Sequence, residues 1–259
     1  MFRHKGRYLV AGVIAVAVFV LGRQSVAYTD TTQMAGQAVH TTVVRVMGIG
    51  GSVAHGWKDP NHNGYLQRAF TSLTQETATA YDYFDQTIVG ANSTQLDTTM
   101  YKGRYAGWLA SLHPNVVVIS WGLLNDALPK VPIDSFGSHI QYEISLGLQA
   151  HAMVFLVTPP VTKASYTQYK VKQQQYVDTE IAVARALHNP NVYVFDVFDQ
   201  MKQYLVDHHQ TYQPYFGDGW HPNTAGHVLA GRILSDDIMK QFGSAAPQFH
   251  DTSATGSTN

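Results

Sequence analysis

Residues 115–126 read NVVVISWGLLND, a short unbroken apolar run followed at once by polar turn residues. A run of this length without polar alternation is typical of a strand that is buried on both faces of a parallel sheet. Residues 152–157, AMVFLV, repeat the pattern and are followed by Pro159 and Pro160. These two stretches predict the central strands of an α/β sheet.

Strand and helix patterns alternate outward from these two runs. Further strands are predicted over residues 42–47, 81–89 and 191–196. Alternation of this kind predicts a parallel sheet of about five strands, covered on both faces in a three-layer α/β/α arrangement. In such sheets ligands bind at the carboxyl ends of the strands, so residues that follow strands are candidates for a functional site. The predicted helices cover residues 64–75, 98–111, 135–149, 166–187 and 224–241.

Composition excludes several classes of function. The chain has 259 residues, of which 45% are hydrophobic and 14% are charged, as in globular proteins rather than disordered ones. The formal net charge is −1, so nucleic-acid binding has little electrostatic support. The chain has no cysteine, which excludes disulfides, thiolate metal sites and a cysteine nucleophile.

The N-terminus resembles an export signal. Three basic residues among the first seven precede an apolar run over residues 8–21, and residues 25–27, Ser-Val-Ala, are spaced like a signal-peptidase site. We interpret residues 1–27 as a signal peptide cleaved after Ala27, or as an uncleaved signal anchor that tethers the protein to the membrane. Under either interpretation the remainder of the chain is extracellular or at the cell surface.

The polar residues that flank the alternating region set the expected domain boundaries. Residues 28–40 are rich in Thr and Gln and are predicted to form a linker. Residues 243–259 are rich in Ser, Thr, Ala and Gly and are predicted to be a flexible tail. The catalytic or binding domain is therefore expected to cover residues 41–242.

The first chemical motif is GIGGSVAHG, residues 48–56, which directly follows the first predicted strand. Its glycines allow a tight turn from which Ser52 can project its hydroxyl at a helix start. Ser52 is also a preferred helix-capping residue, and a capping role alone would explain its position. The motif lacks the Lys of a P-loop, and Ala54 replaces the last glycine of a Gly-x-Ser-x-Gly elbow.

The second motif is DGWHPN, residues 218–223, just before the last predicted helix. Asp218 and His221 are three positions apart, so the carboxylate can accept from one ring nitrogen and leave the other free as a base. The alternatives are a pair of metal ligands or a histidine that caps the helix.

Two further candidates follow predicted strands. Asn125 comes after the third strand, and its side-chain amide could donate to a developing oxyanion. Gly90 comes after the second strand. Each of them would also suit an ordinary turn.

Taken together, the four motifs resemble the SGNH (GDSL-type) hydrolase family, whose members carry Ser, Gly, Asn and Asp-x-x-His in this order. The resemblance spans roughly residues 43–241. It implies a flavodoxin-like fold and a serine esterase in which Ser52 is the nucleophile, His221 is the general base and Asp218 orients His221. By the same resemblance, Gly90, Asn125 and the backbone N–H of Ser52 would form the oxyanion hole.

Two positions depart from the family pattern. Gly51 stands before the nucleophile, where the family has an aspartate that is not a member of the triad. Leu123 stands two positions before Asn125, where the family has a glycine, and Gly122 lies one position earlier.

Other residues near the motifs have two interpretations each. His55, three residues after Ser52, could compete as the base, although no acid lies near it in a comparable motif. Trp57, Trp121 and Trp220 flank the motifs and could form a rim that contacts sugar or acyl groups, or could be packing residues.

The sequence therefore predicts a secreted serine esterase that hydrolyses O-acyl esters of short acyl groups such as acetyl, without a metal or an organic cofactor. The substrate would be a small-molecule, polysaccharide or lipid ester, and no nucleic acid is expected as a partner. A lipase, lysophospholipase or thioesterase of the same family is the alternative. An inactive extracellular carbohydrate-binding module on the same fold is the alternative of another class. The oligomeric state is not predicted.

Overall fold

The fold is built on a five-stranded sheet whose strands are all parallel, in the order β2-β1-β3-β4-β5. The computed structural model describes residues 42–96 and 103–251. The strands are β1 (Thr42–Gly50), β2 (Thr79–Asp85), β3 (Val116–Ser120), β4 (Met153–Val157) and β5 (Val192–Phe195).

Eight helices flank the sheet within the described residues. Because β1 to β2 runs one way across the sheet and β2 to β5 runs the other way, right-handed crossovers place helices on both faces. The helices α2, α7 and α8 pack together, as do α3, α5 and α6. They are α1 (Ser52–His55), α2 (Tyr65–Glu76), α3 (Arg104–Leu112), α4 (Leu124–Ala127), α5 (Ile133–Gln149), α6 (Lys170–Ala186), α7 (Val197–Asp207) and α8 (Thr224–Phe242).

The core lies against the two central strands. Every residue of β3 and of β4 is buried, which confirms the prediction from their unbroken apolar runs. Helix α2 buries one stripe against the sheet, formed by Tyr65, Leu66, Ala69, Phe70 and Leu73. That spacing of three and four residues is the helical period, so the amphipathic pattern of α2 determines which side faces the core.

The order of the strands positions a functional site. The chain leaves β1 in one direction to form β2, and β3 pairs on the other side of β1. This reversal opens a crevice at the carboxyl ends of β1 and β3, where open α/β sheets bind their ligands. The turns that carry Ser52 and Asn125 follow these two strands directly.

The predicted three-layer α/β/α fold with a five-stranded parallel sheet is confirmed, with local differences. Strand β2 ends at Asp85 rather than at residue 89, although the N–H groups of Gln86 and Ile88 still donate to β1 carbonyls at 2.9 Å. Helix α7 was not predicted, because it follows β5 without a turn and Asp196 is its N-cap. The predicted start of the 98–111 helix lies outside the described residues.

The C-terminal segment differs from the expected flexible tail over residues 243–251. Phe249 packs against the core and lies 5.5 Å from the ring of His151. The backbone N–H and carbonyl of His250 both bond to the side chain of Asn191, at 2.7 and 2.9 Å. The packed domain therefore continues past the expected boundary at residue 242.

The expected signal segment over residues 1–27 and the linker over residues 28–40 lie outside the described residues. Within residues 42–96 and 103–251, no helix combines the length and apolar character needed to cross a bilayer.

Candidate active site

The turn after β1 holds Ser52 at the first position of α1. At Gly50 the chain passes close to β3. A side chain at this position would overlap the carbonyl oxygen of Ser120, so only glycine fits there. Ser52 is 8% exposed, and its backbone N–H lies in the first helical turn, where such groups have no intrahelical acceptor. The turn thus presents a buried hydroxyl and an N–H group at the carboxyl edge of the sheet.

His221 reaches Ser52 from the other end of the chain. Its Nε2 lies 2.9 Å from the Oγ of Ser52. The turn that carries His221 is closed by a bond from the Gly217 N–H to the His221 carbonyl at 2.8 Å. Asn223 then caps α8 by accepting from the Gly226 N–H at 3.0 Å. These backbone bonds fix the direction from which the imidazole approaches the hydroxyl.

Asp218 determines the tautomer of that imidazole. Its two carboxylate oxygens lie 2.9 and 3.0 Å from Nδ1 of His221. An ionised carboxylate can only accept, so Nδ1 must carry the proton and donate, and Nε2 of the neutral ring accepts from the Ser52 hydroxyl. This is the arrangement that a general base needs.

The charge on Asp218 is maintained by hydrogen bonds. Burial raises the pKa of its carboxyl, but the N–H of Trp220 and the ring and N–H of His221 outweigh it, so the net pKa lies below the ordinary value. The two N–H groups donate to the same oxygen at 2.8 and 2.9 Å. Lys58 adds a positive charge 3.7 Å from the other oxygen.

Asn125 lies on α4, beside Ser52. A depression of about 230 Å³, including its open mouth, is lined by Asn125, Ser52 and His221 together with Gly51, Val53, Gly122, Leu124 and Trp220. The Asn125 amide donates one bond to the carbonyl of Ala91 at 2.9 Å. An amide has two N–H hydrogens, so a second donor remains to meet an oxyanion.

Gly90 is placed differently. Its φ of +83° is left-handed, which explains the glycine, but Gly90 does not line the depression that holds Ser52 and Asn125. The following residue does approach the site, because a side chain at Gly51 would lie 3.2 Å from the carbonyl oxygen of Ala91. The structure therefore brings the Gly90 turn next to the nucleophile turn, and an oxyanion role for its N–H remains a prediction.

Leu123 stands where the family pattern has a glycine, and its conformation shows how the loop accommodates a leucine there. Leu123 adopts a φ of +65°, a conformation that glycine takes without strain, and its side chain is 1% exposed. Burial of the leucine side chain offsets the backbone strain, so the loop still delivers Asn125 to the depression.

Sequence reasoning missed the bonds that tie the Asn125 loop to the Gly90 turn. Asp126 is buried and accepts from the N–H and hydroxyl of Ser93 at 3.3 and 2.6 Å. Asn92 donates to the carbonyl of Asn125 at 3.3 Å. Burial raises the pKa of Asp126 to about 6, against the lowering effect of the bonds from Ser93. The position of Asp126 directly after Asn125 was the available signal.

His55 does have an acidic partner, contrary to the expectation from sequence. Its Nδ1 lies 2.9 Å from a carboxylate oxygen of Asp85 and 3.1 Å from the hydroxyl of Thr87. The two residues are 30 positions apart and meet because β1 and β2 end side by side. It is His221, and not His55, that contacts the Ser52 hydroxyl.

The three tryptophans near the motifs have separate environments. Trp121 is 1% exposed and donates from its ring nitrogen to Glu143 at 2.9 Å, so it is a packing residue. Trp220 lines the depression and packs edge-on against Tyr169, with 5.8 Å between ring centroids. Trp57 is 38% exposed beside the site.

Solved structures share this fold at low sequence identity. An acetylxylan esterase from Geobacillus stearothermophilus aligns with a TM-score of 0.59 and 17% identity, over 77% of this chain and 94% of its own. A psychrotrophic esterase from Pseudoalteromonas sp. gives a TM-score of 0.57 and 17% identity, over 76% and 98%. An α/β hydrolase from the metagenome of Lake Arreo, Spain, gives 0.59 and 15%, over 79% and 97%.

Sequence comparison identifies the family. No curated protein matches the chain. The model of the GDSL-like lipase/acylhydrolase family matches residues 49–229, from the nucleophile turn to α8 and well over half of the chain. The chain therefore belongs to the GDSL-like lipase/acylhydrolase family, a family of carboxylic ester hydrolases.

Proposed function

We propose that the chain is a secreted serine esterase that removes short acyl groups, such as acetyl, through Ser52, His221 and Asp218. The observation that carries this proposal is the continuous line of contacts from the Ser52 hydroxyl to His221 at 2.9 Å and on to Asp218 at 2.9 Å. These are hydrogen-bonding distances, and the order of groups is that of an activated serine nucleophile.

The first half of the reaction acylates the enzyme. The Ser52 oxygen attacks the ester carbonyl while Nε2 of His221 takes the hydroxyl proton. The imidazolium that forms is stabilised by the carboxylate of Asp218. The carbonyl oxygen becomes an oxyanion, which the free N–H of the Asn125 amide and the Ser52 N–H would meet. The carbon–oxygen bond to the alcohol then breaks, and the imidazolium protonates the departing alcohol.

The second half of the reaction releases the acid. Water attacks the acyl group on Ser52 while His221 again takes a proton. Collapse of the second oxyanion returns the hydroxyl to Ser52, with the proton supplied by His221. Every proton transfer in the cycle is between the substrate, water, Ser52 and His221, so no other residue has to carry a proton.

The size of the depression supports a small acyl group. Without its open mouth the depression encloses only about 10 Å³, far below the range of roughly 300–1,000 Å³ that encloses drug-sized ligands. Leu124 and Val53 contribute apolar walls, which suit a methyl group better than a long chain. The acetylxylan esterase among the structural neighbours acts on an acetyl ester, in keeping with this preference.

Export is part of the proposal and rests on the N-terminal sequence. The basic start, the apolar run over residues 8–21 and the small residues at 25–27 support it. Expression of the full chain followed by fractionation and N-terminal sequencing of the product tests it. An exported product that begins at Tyr28 is expected, and a product retained in the cytoplasm with an intact N-terminus would contradict it.

The test of the activity compares p-nitrophenyl esters of increasing acyl length on residues 28–259 and on the Ser52→Ala variant. We expect kcat/KM to be highest for the acetate and to fall as the chain lengthens, with activity abolished in the variant. Equal activity in the variant, or a preference for long chains, would contradict the proposal.

A further inference from the structure

Three rings, two of them exposed and one partly exposed, form a row beside the turn that carries Ser52. Trp57 stacks on His62 with 5.8 Å between centroids and 25° between planes. His62 in turn lies 5.4 Å from His55 at 32°. Trp57 is 38% exposed, the His55 side chain is 31% exposed, and His62 is exposed as well. We call Trp57, His62 and His55 the ring row.

The ring row is held in place at both ends. At one end, Nδ1 of His55 is bonded to Asp85 at 2.9 Å and to Thr87 at 3.1 Å. At the other end, the backbone N–H of Trp57 donates to the carbonyl of Ser52 at 3.0 Å, and the Trp57 ring stacks on His62. An exposed aromatic surface that is fixed before a ligand arrives loses little conformational freedom on binding.

Hydrogen bonds and an ion pair to the buried Asp59 hold the loop between Trp57 and His62 in place. Asp59 is 2% exposed and accepts from the N–H groups of Asn61 and Asn63 at 2.9 and 3.4 Å. The same carboxylate forms an ion pair with Arg68 of α2 at 2.8 Å. The loop that presents the rings is therefore an ordered part of the domain.

The segment that carries the ring row is joined to the candidate active site by two contacts. The backbone N–H of Trp57 donates to the carbonyl of Ser52, and the ammonium group of the next residue, Lys58, lies 3.7 Å from a carboxylate oxygen of Asp218. His55 is three positions after Ser52 on the same helical turn, and such positions are neighbours on a helix surface. The ring row therefore begins one helical turn from Ser52, within reach of the alcohol portion of a substrate whose ester lies at Ser52.

The chemistry around the ring row favours a polyol over an alkyl chain. The rings offer apolar faces, but Asp85, Thr87 and Lys58 add a carboxylate, a hydroxyl and an ammonium group at their edge. An alkyl chain laid across that edge would desolvate these polar groups without compensation, whereas hydroxyl groups can bond to them. A sugar ring combines an apolar C–H face with hydroxyl groups at its rim.

We propose that the ring row is a subsite for a pyranose ring in the alcohol portion of the substrate, which makes the substrate an acylated glycan. This inference rests on the proposed ester hydrolysis at Ser52 for the identity of the bound molecule. The subsite itself can be tested without turnover.

The binding test uses the Ser52→Ala protein and three unacylated hexasaccharides, built from xylose, glucose and N-acetylglucosamine. Binding is followed by calorimetry and by tryptophan fluorescence. We expect at least one of the three to bind, and Trp57→Ala in the same protein to weaken that binding about five- to tenfold. Trp57→Phe, which keeps an aromatic face, should weaken it less.

A matched control removes another exposed aromatic ring. Tyr142 is 43% exposed and belongs to α5 rather than to the segment over residues 55–62 that carries the ring row, so Tyr142→Ala should leave hexasaccharide binding unchanged. The proposal is overturned if none of the three hexasaccharides binds, or if Trp57→Ala and Tyr142→Ala bind equally well.

A kinetic comparison separates failure of this proposal from failure of the proposed esterase. With Ser52 intact, Trp57→Ala should lower kcat/KM for the acetylated form of the bound glycan about five- to tenfold more than for p-nitrophenyl acetate. An enzyme inactive on every ester refutes the esterase but leaves the binding test standing. A Trp57→Ala effect confined to long-chain esters shows that the ring row binds an acyl chain and overturns the proposal.

Discussion

Two aspartates that neighbour residues of the depression, Asp218 beside His221 and Asp126 beside Asn125, have opposite environments. Asp218 lies in the loop before α8, its side chain is 37% exposed, and it accepts from two N–H groups and an imidazole. Asp126 is 1% exposed and accepts only from Ser93 among the described residues, and its second oxygen has no partner there. Burial raises the pKa of both, but only Asp218 has enough donors to lower the net pKa.

The difference shows how one fold assigns two roles to one residue type. A carboxylate that must stabilise an imidazolium has to stay ionised, so it needs donors and partial exposure. A carboxyl group that only ties two loops together can be buried, since its protonated form is cheaper to desolvate. We infer that Asp218 acts electrostatically on His221 and that Asp126 acts as a positioning residue for Asn125.

Substitution of the two aspartates should affect catalytic activity very differently. Asp218→Asn keeps the shape but removes the charge and permits the wrong imidazole tautomer, so kcat for p-nitrophenyl acetate should fall on the order of 10³-fold. Asp126→Asn keeps the acceptor for Ser93 and should lower kcat by less than about tenfold. Thermal unfolding of both variants verifies that they are folded. Equal losses of kcat would remove the distinction between the two roles.

Asp126 should also change how the free energy of unfolding depends on pH. The folded-state pKa of Asp126 is raised from its ordinary 3.8 to about 6. Its contribution to the free energy of unfolding is therefore fully present below about pH 4 and is lost as pH rises through 6. Asn imitates the protonated form, so Asp126→Asn should be more stable than the parent at pH 8 by up to about 3 kcal/mol, and equally stable near pH 4.

Urea titrations of parent and variant at pH 4 and pH 8 give this comparison. Glu180 is also fully buried, and its pKa is likewise raised by burial, so both proteins lose stability at high pH. The difference between the two proteins reports Asp126 together with its repulsion of Glu180, because the charge on Asp126 is one cause of the raised pKa of Glu180. A variant that is less stable than the parent at pH 8 would show that the ionised form of Asp126 is the stabilising one.

The smallest expected effect concerns the strained residue beside Asn125. Leu123→Gly relieves a φ of +65° but removes a side chain that is 1% exposed. The loss of burial costs about 2–5 kcal/mol, and relief of strain returns about 1–2 kcal/mol. We therefore expect Leu123→Gly to lower the free energy of unfolding by roughly 0–4 kcal/mol, with about 2 kcal/mol as the central value, measured by urea titration.

His113 provides a matched control for that substitution. It ends α3 at a φ of +43° and its side chain is exposed, so it carries backbone strain without burial. His113→Gly should leave stability unchanged or raise it by about 1 kcal/mol. If both substitutions stabilise the protein, packing of Leu123 does not offset its strain.

Local patterns predicted the central sheet well. The runs over residues 115–120 and 152–157 are buried on both faces, and burial alone requires apolar residues at consecutive positions. Such strands can therefore be predicted without knowing which strands pair with them. Helix α7 has an equally regular buried stripe at Val197, Phe198, Met201 and Leu205. The sequence pattern did not reveal α7 because it assigned Asp196 to the preceding strand, whereas Asp196 is the N-cap of the helix.

Contacts across the sheet edge could not be predicted in the same way. The pairing of His55 with Asp85 and that of Ser93 with Asp126 join residues 30 and 33 positions apart. Both pairs depend on which strands become neighbours, and strand order is a property of the whole sheet. Asp218 and His221 were predictable because three positions of separation suffice to place them on one turn.

Covalent labelling tests directly our inference that Ser52 is a nucleophile activated by His221 and Asp218. A fluorophosphonate reacts with an activated serine and leaves a stable adduct, so peptide mass spectrometry of the labelled protein identifies the residue. We expect one adduct, on Ser52, absent in Ser52→Ala and slowed on the order of 10³-fold in His221→Ala and Asp218→Asn. A folded protein that takes no label, or an adduct on Ser52 at the same rate in all three remaining proteins, would contradict the account.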